Sequence, residues 1–435
     1  MDVAVQAALI LFVGVAFFLI IGTPISVGIG VSSALAMFSI VSFDNGLLAS
    51  AQRMFSGMNS FTLLAIPFFI LAGVIMNNGG IAIRLINCAK VLSGRLPGSL
   101  AHTNIVANML FGSISGSAVA AAAAVGSTMS PLQEKEGYDR KFSAAVNIAS
   151  APTGMLIPPS NTLIVFSLVS GGTSIAALFM AGYIPGIMWG LACMVVAYFM
   201  ARKRGYKSAE RVTFKQGVRV FLDAIPSLLL IVIVIGGIIK GVFTATEGSA
   251  IAVVYSLFLS FVYRTIKVKD LPRIFLESTR TTAIVIFLIG VSSIMSWVMA
   301  FTNIPGIIAD ALLAATDNLL VILLIMNIVL LIVGTFMDPT PAVLIFTPIF
   351  LPIALSFGMN PVHFGIMMVF NLSIGTITPP VGPVLFVGAR VANLKIEDVI
   401  KPLIPFFLVT VLVLMIVTYI PQISLFIPEL LGLIK

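Results

Sequence analysis

Residues 3–22 carry no charged side chain, and apolar runs of this kind recur almost to the end of the chain. About 20 such residues are what a helix needs to cross a bilayer. Backbone in hydrocarbon must satisfy its hydrogen bonds internally, which leaves helices or closed barrels, and these continuous runs lack the alternation of barrel strands. The fold class is therefore an all-α polytopic membrane protein. The apolar segments fall at residues 3–22, 24–42, 61–77, 97–131, 143–170, 175–201, 225–242, 248–263, 281–301, 319–356, 364–389 and 403–427. Two of them, 97–131 and 319–356, are long and interrupted. If each enters and returns to the same side, ten spans remain.

Charge tests that arrangement. With the N-terminus outside, 21 of the 24 basic residues fall in cytoplasmic segments, and only Arg53, Lys240 and Lys435 fall outside. That is the positive-inside bias, and it accounts for the net charge of +8 without a nucleic-acid partner. The first run follows Asp2 with no Lys or Arg ahead of it, so it reads as a span and not as a signal peptide. Two cysteines, Cys88 and Cys193, make no disulfide framework and no metal pattern.

The chain also contains itself twice. "GMLIPPSNTLIVF" from Gly154 aligns with "GTITPPVGPVLFV" from Gly375, and "NMLFGSISGSAV" from Asn108 aligns with "IVLLIVGTFMDP" from Ile328 at nearly the same offset. Each copy has five spans and one interrupted segment, and an odd number of spans inverts the second copy in the membrane. Inverted repeats with broken helices are a signature of secondary transporters. Amphipathic stretches at 80–98 and 306–318 precede the interrupted segments and are expected to lie in the interface; the first carries Arg84, Lys90 and Arg95, the second Asp310 and Asp317. The expected division is residues 1–98 and 225–318 as scaffold spans with their arm helices, and 99–201 and 319–435 as hairpins with broken spans. Residues 202–224 form a polar cytoplasmic linker.

Each interrupted segment has two halves too short to cross with a loop of their own, so a re-entrant hairpin with its tip near the midplane is expected. At the first tip, "GSISGS" from Gly112 to Ser117, carbonyls of the ending helix and the hydroxyls of Ser113, Ser115 and Ser117 can coordinate a hard cation, while amides opening the next helix favour an anion. The bland alternative is that Gly112 and Gly116 are a close-packing face. At the second tip, "GTFMDPTP" from Gly334 to Pro341, Asp338 is the sole formal charge between Leu319 and Ala389. An Asp followed by Pro is good N-cap chemistry, but Ser or Asn would cap at less cost in hydrocarbon, so a cation role is expected, with a proton relay as the alternative. The proline pairs of "IPPSNT" and "TPPVGP" break the spans that follow. Ser115, Ser117, Ser160, Asn161 and Thr162 are the expected substrate contacts. Hard oxygen ligands for sodium are expected at Ser113, Ser115, Gly116, Thr153 and Gly154, and at Gly334, Thr335, Asp338, Gly375, Thr376 and Thr378.

Other classes fare worse. "GSISG" has Ile114 where a serine-hydrolase elbow needs its nucleophile, His102 and His363 are the only imidazoles, and there is no HExxH and no phosphate-binding loop with Lys. A passive channel is not removed by these features.

"FGSISGSAVA", "GMLIPPSN", "GTFMDPTPAVLIFTPIFLPI" and "IGTITPPVGPVLFV", spread over essentially the whole chain, resemble the large membrane (M) subunit of tripartite ATP-independent periplasmic (TRAP) transporters, similar to the dicarboxylate and sialic acid members. The resemblance implies an elevator-type architecture like that of the ion transporter superfamily, in which hairpins and broken spans slide against a scaffold with sodium as coupling ion. It also implies an organic-acid substrate, a small four-helix (Q-type) membrane subunit as a separate polypeptide, a periplasmic (P-type) substrate-binding protein, and residence in the bacterial inner membrane.

Overall fold

The computed structural model describes residues 3–93, 97–206, 214–316, 318–379 and 381–434; expectations resting on Asp2, Arg95, Asp317, Pro380, Lys435 and residues 207–213 lie outside them. The chain opens with α1 (Val3–Ile20), α2 (Ile25–Ile40) and α3 (Phe43–Met58), then passes through a 3-10 turn (Phe61–Leu64) into α4 (Ala65–Asn78) and α5 (Ile81–Ser93). Next come α6 (Ser99–Ser115), α7 (Ala118–Lys135), α8 (Arg140–Ser150), a 3-10 turn (Ala151–Met155), α9 (Asn161–Val169) and α10 (Ile175–Lys203). The second half runs α11 (Phe214–Ile239), α12 (Ala245–Val262), α13 (Leu271–Phe301), α14 (Ile304–Ala315), α15 (Leu319–Gly334) and α16 (Pro339–Ser356). It ends with α17 (Pro361–Gly375), α18 (Pro383–Val391), α19 (Ile396–Tyr419) and α20 (Gln422–Leu430).

Among the described residues eight helical stretches are long and apolar enough to cross a bilayer. Seven coincide with expected spans: α1, α4 with its leading turn, α10, α11, α12, α13 and α19. The eighth is α16, an arm of the second interrupted segment. The other expected spans are α2, at 16 residues, and the broken pairs α8/α9 and α17/α18.

Several expectations need correcting. The arms α6, α7, α15 and α16 hold 17, 18, 16 and 18 residues, so at about 1.5 Å per residue none is too short to approach a crossing. Length alone does not make them hairpins; the contacts of their tips do. The polar connection 202–224 is partly helical, because α11 starts at Phe214, ahead of its apolar run, and α13 likewise starts at Leu271. α19 stops at Tyr419, and Pro421 begins the separate α20. The stretch 43–58, left between the expected spans 24–42 and 61–77, is α3, with Asp44 in its first turn and Phe43, Leu47, Leu48 and Phe55 exposed.

Helix contacts exchange between the halves. α4 packs on α12 as α13 packs on α2; α7 packs on α18 as α16 packs on α9; α8 packs on α19 as α17 packs on α10; α5 packs on α11 as α14 packs on α1. Each pair is the other with first-half and second-half members swapped, the relation that two related copies about a pseudo-two-fold axis produce. α3 and α20 fall outside this correspondence. The largest fully buried aromatics, Trp189, Phe111, Phe142, Phe166, Phe179, Phe364, Phe370 and Phe406, all lie in α6 to α10 and in α17 and α19, so the dense core surrounds the broken helices. Every residue from Phe142 to Ser150 and from Val362 to Gly375 is buried. At the first arm, Arg84 bonds Gly80 O at 2.9 Å, pairs with Asp223 at 3.3 Å and lies 3.4 Å over the Tyr263 ring, tying α5 to α11 and the end of α12.

Candidate helix-break site

The chain turns between α6 and α7 at Gly116, whose φ of +61° is a backbone conformation that side chains with a Cβ resist. There is also no room for one: a Cβ on Gly116 would come within 3.2 Å of Pro159 O and 3.3 Å of Asn161 Nδ2. One turn earlier a Cβ on Gly154 would sit 2.3 Å from the Gly112 Cα. The first tip therefore presses backbone to backbone on the middle of the broken span α8/α9. The second half repeats this: a Cβ on Gly375 would sit 2.5 Å from the Gly334 Cα. The close-packing reading of Gly112 is thus correct as geometry, and it is what seats the tip against the break. The two breaks also meet each other, with Ser373 Oγ 3.6 Å from the Met155 sulfur.

Five of the expected cation ligands share one property. Ser113 donates to Leu110 O at 2.8 Å, Thr153 to Ser150 O at 2.7 Å, Thr335 to Ile332 O at 2.7 Å, Thr376 to Ser373 O at 2.6 Å and Thr378 to Ile374 O at 2.7 Å. A hydroxyl whose proton is committed to its own helix turns its lone pairs outward as an acceptor. Such oxygens, with carbonyls at the ends of α6, α15 and α17, are the donor set a hard monovalent cation takes, so the residues present fit sodium. Part of that carbonyl capacity is already used: Thr153 O accepts from Leu156 and Ile157, and Thr376 O caps α18 through Val384 N at 3.0 Å.

The expected substrate contacts divide. Ser160 gives its proton to Met155 O at 2.5 Å and accepts from Leu163 N at 3.4 Å; it is fully buried and serves as the N-cap of α9, so its hydroxyl is already used as donor and as acceptor. Ser117 caps α7 through Ala120 N at 3.3 Å but stays partly exposed, and Ser115 Oγ lies 3.4 Å from Ser117 O. Thr162 is buried in the first turn of α9. Asn161 opens α9 beside Gly116, and its Oδ1 is buried with no partner among the described residues.

Asp338 sits at the second tip as expected, as the N-cap of α16, accepting from Thr340 N at 3.1 Å. Its burial does not hold: it lies deep among protein atoms yet its side chain is exposed, as are Phe336, Pro379 and Val381 around it. The first break, by contrast, is buried throughout from Ala151 to Ser160.

Sequence reasoning passed over four amides. Asn108 Nδ2 on α6 lies 3.1 Å from Asn147 Oδ1, 3.2 Å from Asn147 O and 2.8 Å from Ser150 Oγ on α8. Asn371 Nδ2 on α17 lies 2.9 Å from Asn327 O and 2.7 Å from Asn327 Oδ1 on α15. The signal was available, since polar side chains inside spans as apolar as α15 and α17 are costly unless paired. A cleft of about 450 Å³ lies away from the tips, between the α9–α10 and α11–α12 loops, lined by Thr62, Thr173, Ser174 and Thr244 with no charged side chain.

The comparisons agree with this architecture. The chain is 57% identical to the uncharacterized protein YgiK of Salmonella typhimurium over 422 residues, covering 97% of both. It is 39% identical to the sialic acid TRAP transporter large permease protein SiaM of Vibrio cholerae, covering 90% of this chain and 92% of that one. It is 42% identical to the isethionate TRAP transporter permease protein DctMQ of Oleidesulfovibrio alaskensis, covering 96% of this chain and 66% of that one. In fold it is similar to the YdaH transporter of Alcanivorax borkumensis, with a TM-score of 0.65 at 13% identity over 86% of this chain and 88% of that one. Residues 12–423 match the family described as tripartite ATP-independent periplasmic transporter, DctM component, and with relatives of this identity and coverage the chain belongs to that family, as a membrane transporter subunit and not an enzyme.

Proposed function

We propose that this chain carries an organic acid inward across the bacterial inner membrane, its N-terminus on the periplasmic side, in exchange for the free energy of a sodium gradient. Relatives named for sialic acid, C4-dicarboxylates, 2,3-diketo-L-gulonate and isethionate support an organic anion as cargo. The observation that carries the reading is the doubled seat, tip glycine on break glycine, with hydroxyls whose protons are already committed. Sodium is held by Ser113, Ser115, Gly116, Thr153 and Gly154 in one half and by Gly334, Thr335, Asp338, Gly375, Thr376 and Thr378 in the other. The substrate carboxylate or sulfonate is met by Ser115, Ser117, Asn161 and Thr162, where the amides opening α7 and α9 favour an anion. Asp338 would repel that anion, so the two share the cavity only with a cation between them, which couples ion to substrate.

Residues 99–201 and 319–435 act as the moving body and 1–98 and 225–318 as the scaffold, in an elevator cycle. A periplasmic binding protein delivers substrate and a small membrane subunit braces the scaffold. The test is uptake by the chain reconstituted with both partners: flux should need an inward sodium gradient and the binding protein, and should be indifferent to ATP. Steady flux without sodium ends the reading, and flux without the binding protein favours a channel.

A further inference from the structure

The amide contacts lie one helical turn from the glycine seats, Asn108 four residues before Gly112 and Asn371 four before Gly375. Each joins a hairpin arm to the broken span beside it, but with the roles exchanged: the hairpin donates to the broken span in the first half, and the broken span donates to the hairpin in the second. Both side chains are fully buried, and both keep an amide oxygen, Asn108 Oδ1 and Asn371 Oδ1, without a partner among the described residues. An amide kept only to hold two helices together is a poor choice on those terms. Leucine has nearly the same shape and would leave no acceptor stranded in an apolar interior.

We infer that Asn108 and Asn371 are positioning residues for ion binding: each fixes the spacing between a hairpin arm and its broken span, and so the spacing between the two sets of oxygens that must close on one cation. The inference rests on the sodium reading above. Its physical basis is that the oxygens on either side of each glycine seat come from two separate elements, Ser113 with Thr153 in one half and Thr335 with Thr376 in the other. Backbone glycine contacts stop the elements from approaching further but do not stop them from sliding or parting. A hydrogen bond across the interface one turn away supplies the missing restraint, and ligand sets tolerate only about 0.5 Å of drift before they weaken.

The experiment measures thermal unfolding of the purified full chain in nanodiscs while sodium chloride replaces choline chloride at constant ionic strength. The parent should be stabilised by sodium. In Asn108→Leu and Asn371→Leu the sodium concentration for half the effect should rise about tenfold, while the ceiling reached at high sodium stays close to the parent's. Joining Asn327→Leu to Asn371→Leu should add little to the sodium shift, because the contact across the interface has already been lost, while the bonds of Asn327 Nδ2 to Leu323 O at 2.9 Å and Thr418 Oγ1 at 3.3 Å go with it and lower the unfolding temperature in choline. A role confined to packing would lower the unfolding temperature in choline and leave the half-effect concentration where it was, and that result overturns the inference. If a leucine variant does not assemble, Asn371→Ser, which shortens the donor without adding bulk, is read the same way; failure of both to assemble also overturns it. A parent indifferent to sodium sinks the sodium reading itself, a different outcome from a responsive parent with unshifted variants.

Discussion

Asp338→Asn separates cap from charge. The amide keeps an oxygen for Thr340 N, so α16 should start as before. If the charge supports a cation, half-saturating sodium for uptake should rise about tenfold or more, about 1.4 kcal/mol, in a variant that assembles normally. Because the side chain is exposed, Asp338→Cys should also react with a membrane-impermeant thiol reagent, and sodium should slow the labelling; measured rates equal with and without sodium count against an ion there. At the glycine seats the prediction is steric. Gly154→Ala puts a Cβ 2.3 Å from the Gly112 backbone, so the tip must lift, at the about 1–3 kcal/mol typical of overpacking, visible as a lower unfolding temperature with uptake lost. Residues of this kind were legible in sequence to different degrees. Gly112, Gly116 and Asp338 stand out against apolar neighbours, whereas the commitment of Ser160 to Met155 O and Leu163 N depends on how the break folds, which a residue string does not contain.

Elements were legible where length and apolarity decide, and illegible where packing does. The proline pairs gave both breaks, because Pro removes a donor and constrains the residue before it. α3 was missed although Phe43, Leu47, Met54 and Met58 follow a helical period, because its weak overall apolarity hid it among loops. Hairpin arms could not be told from spans by length, since the arms are as long as α2. What distinguishes them is contact, and α4 supplies a test. A Cβ on Gly73 would come 3.3 Å from Ser115 O, so this helix, part of the proposed scaffold, rests on the first tip. Gly73→Leu should obstruct sliding: uptake should fall about tenfold or more, the effect of about 1.4 kcal/mol on a barrier, while sodium still stabilises the protein. Equal loss of uptake and of sodium stabilisation would show damage to the site instead.

For the whole molecule, the repeat was read from two pairs of motifs, but the exchange of contacts could not be, because it needs three-dimensional neighbours. Its consequence concerns manufacture. α2, α4, α8 and α9 find their main second-half partners among helices that follow residue 244, so the ribosome delivers the first half with those faces uncovered. Neither half closes its own interior, and completion waits on synthesis of the last helices. A gene cut within the polar connection, giving 1–206 and 207–435 as separate chains, should therefore yield unstable products singly and a joined, sodium-responsive complex when both are made in one cell. If 1–206 alone resists protease as well as the intact chain does, the halves are self-sufficient. The interlocking that seats each tip also makes late truncation the costliest kind of error, because a chain stopped just short of α19 leaves α8, inserted more than two hundred residues earlier, without its partner.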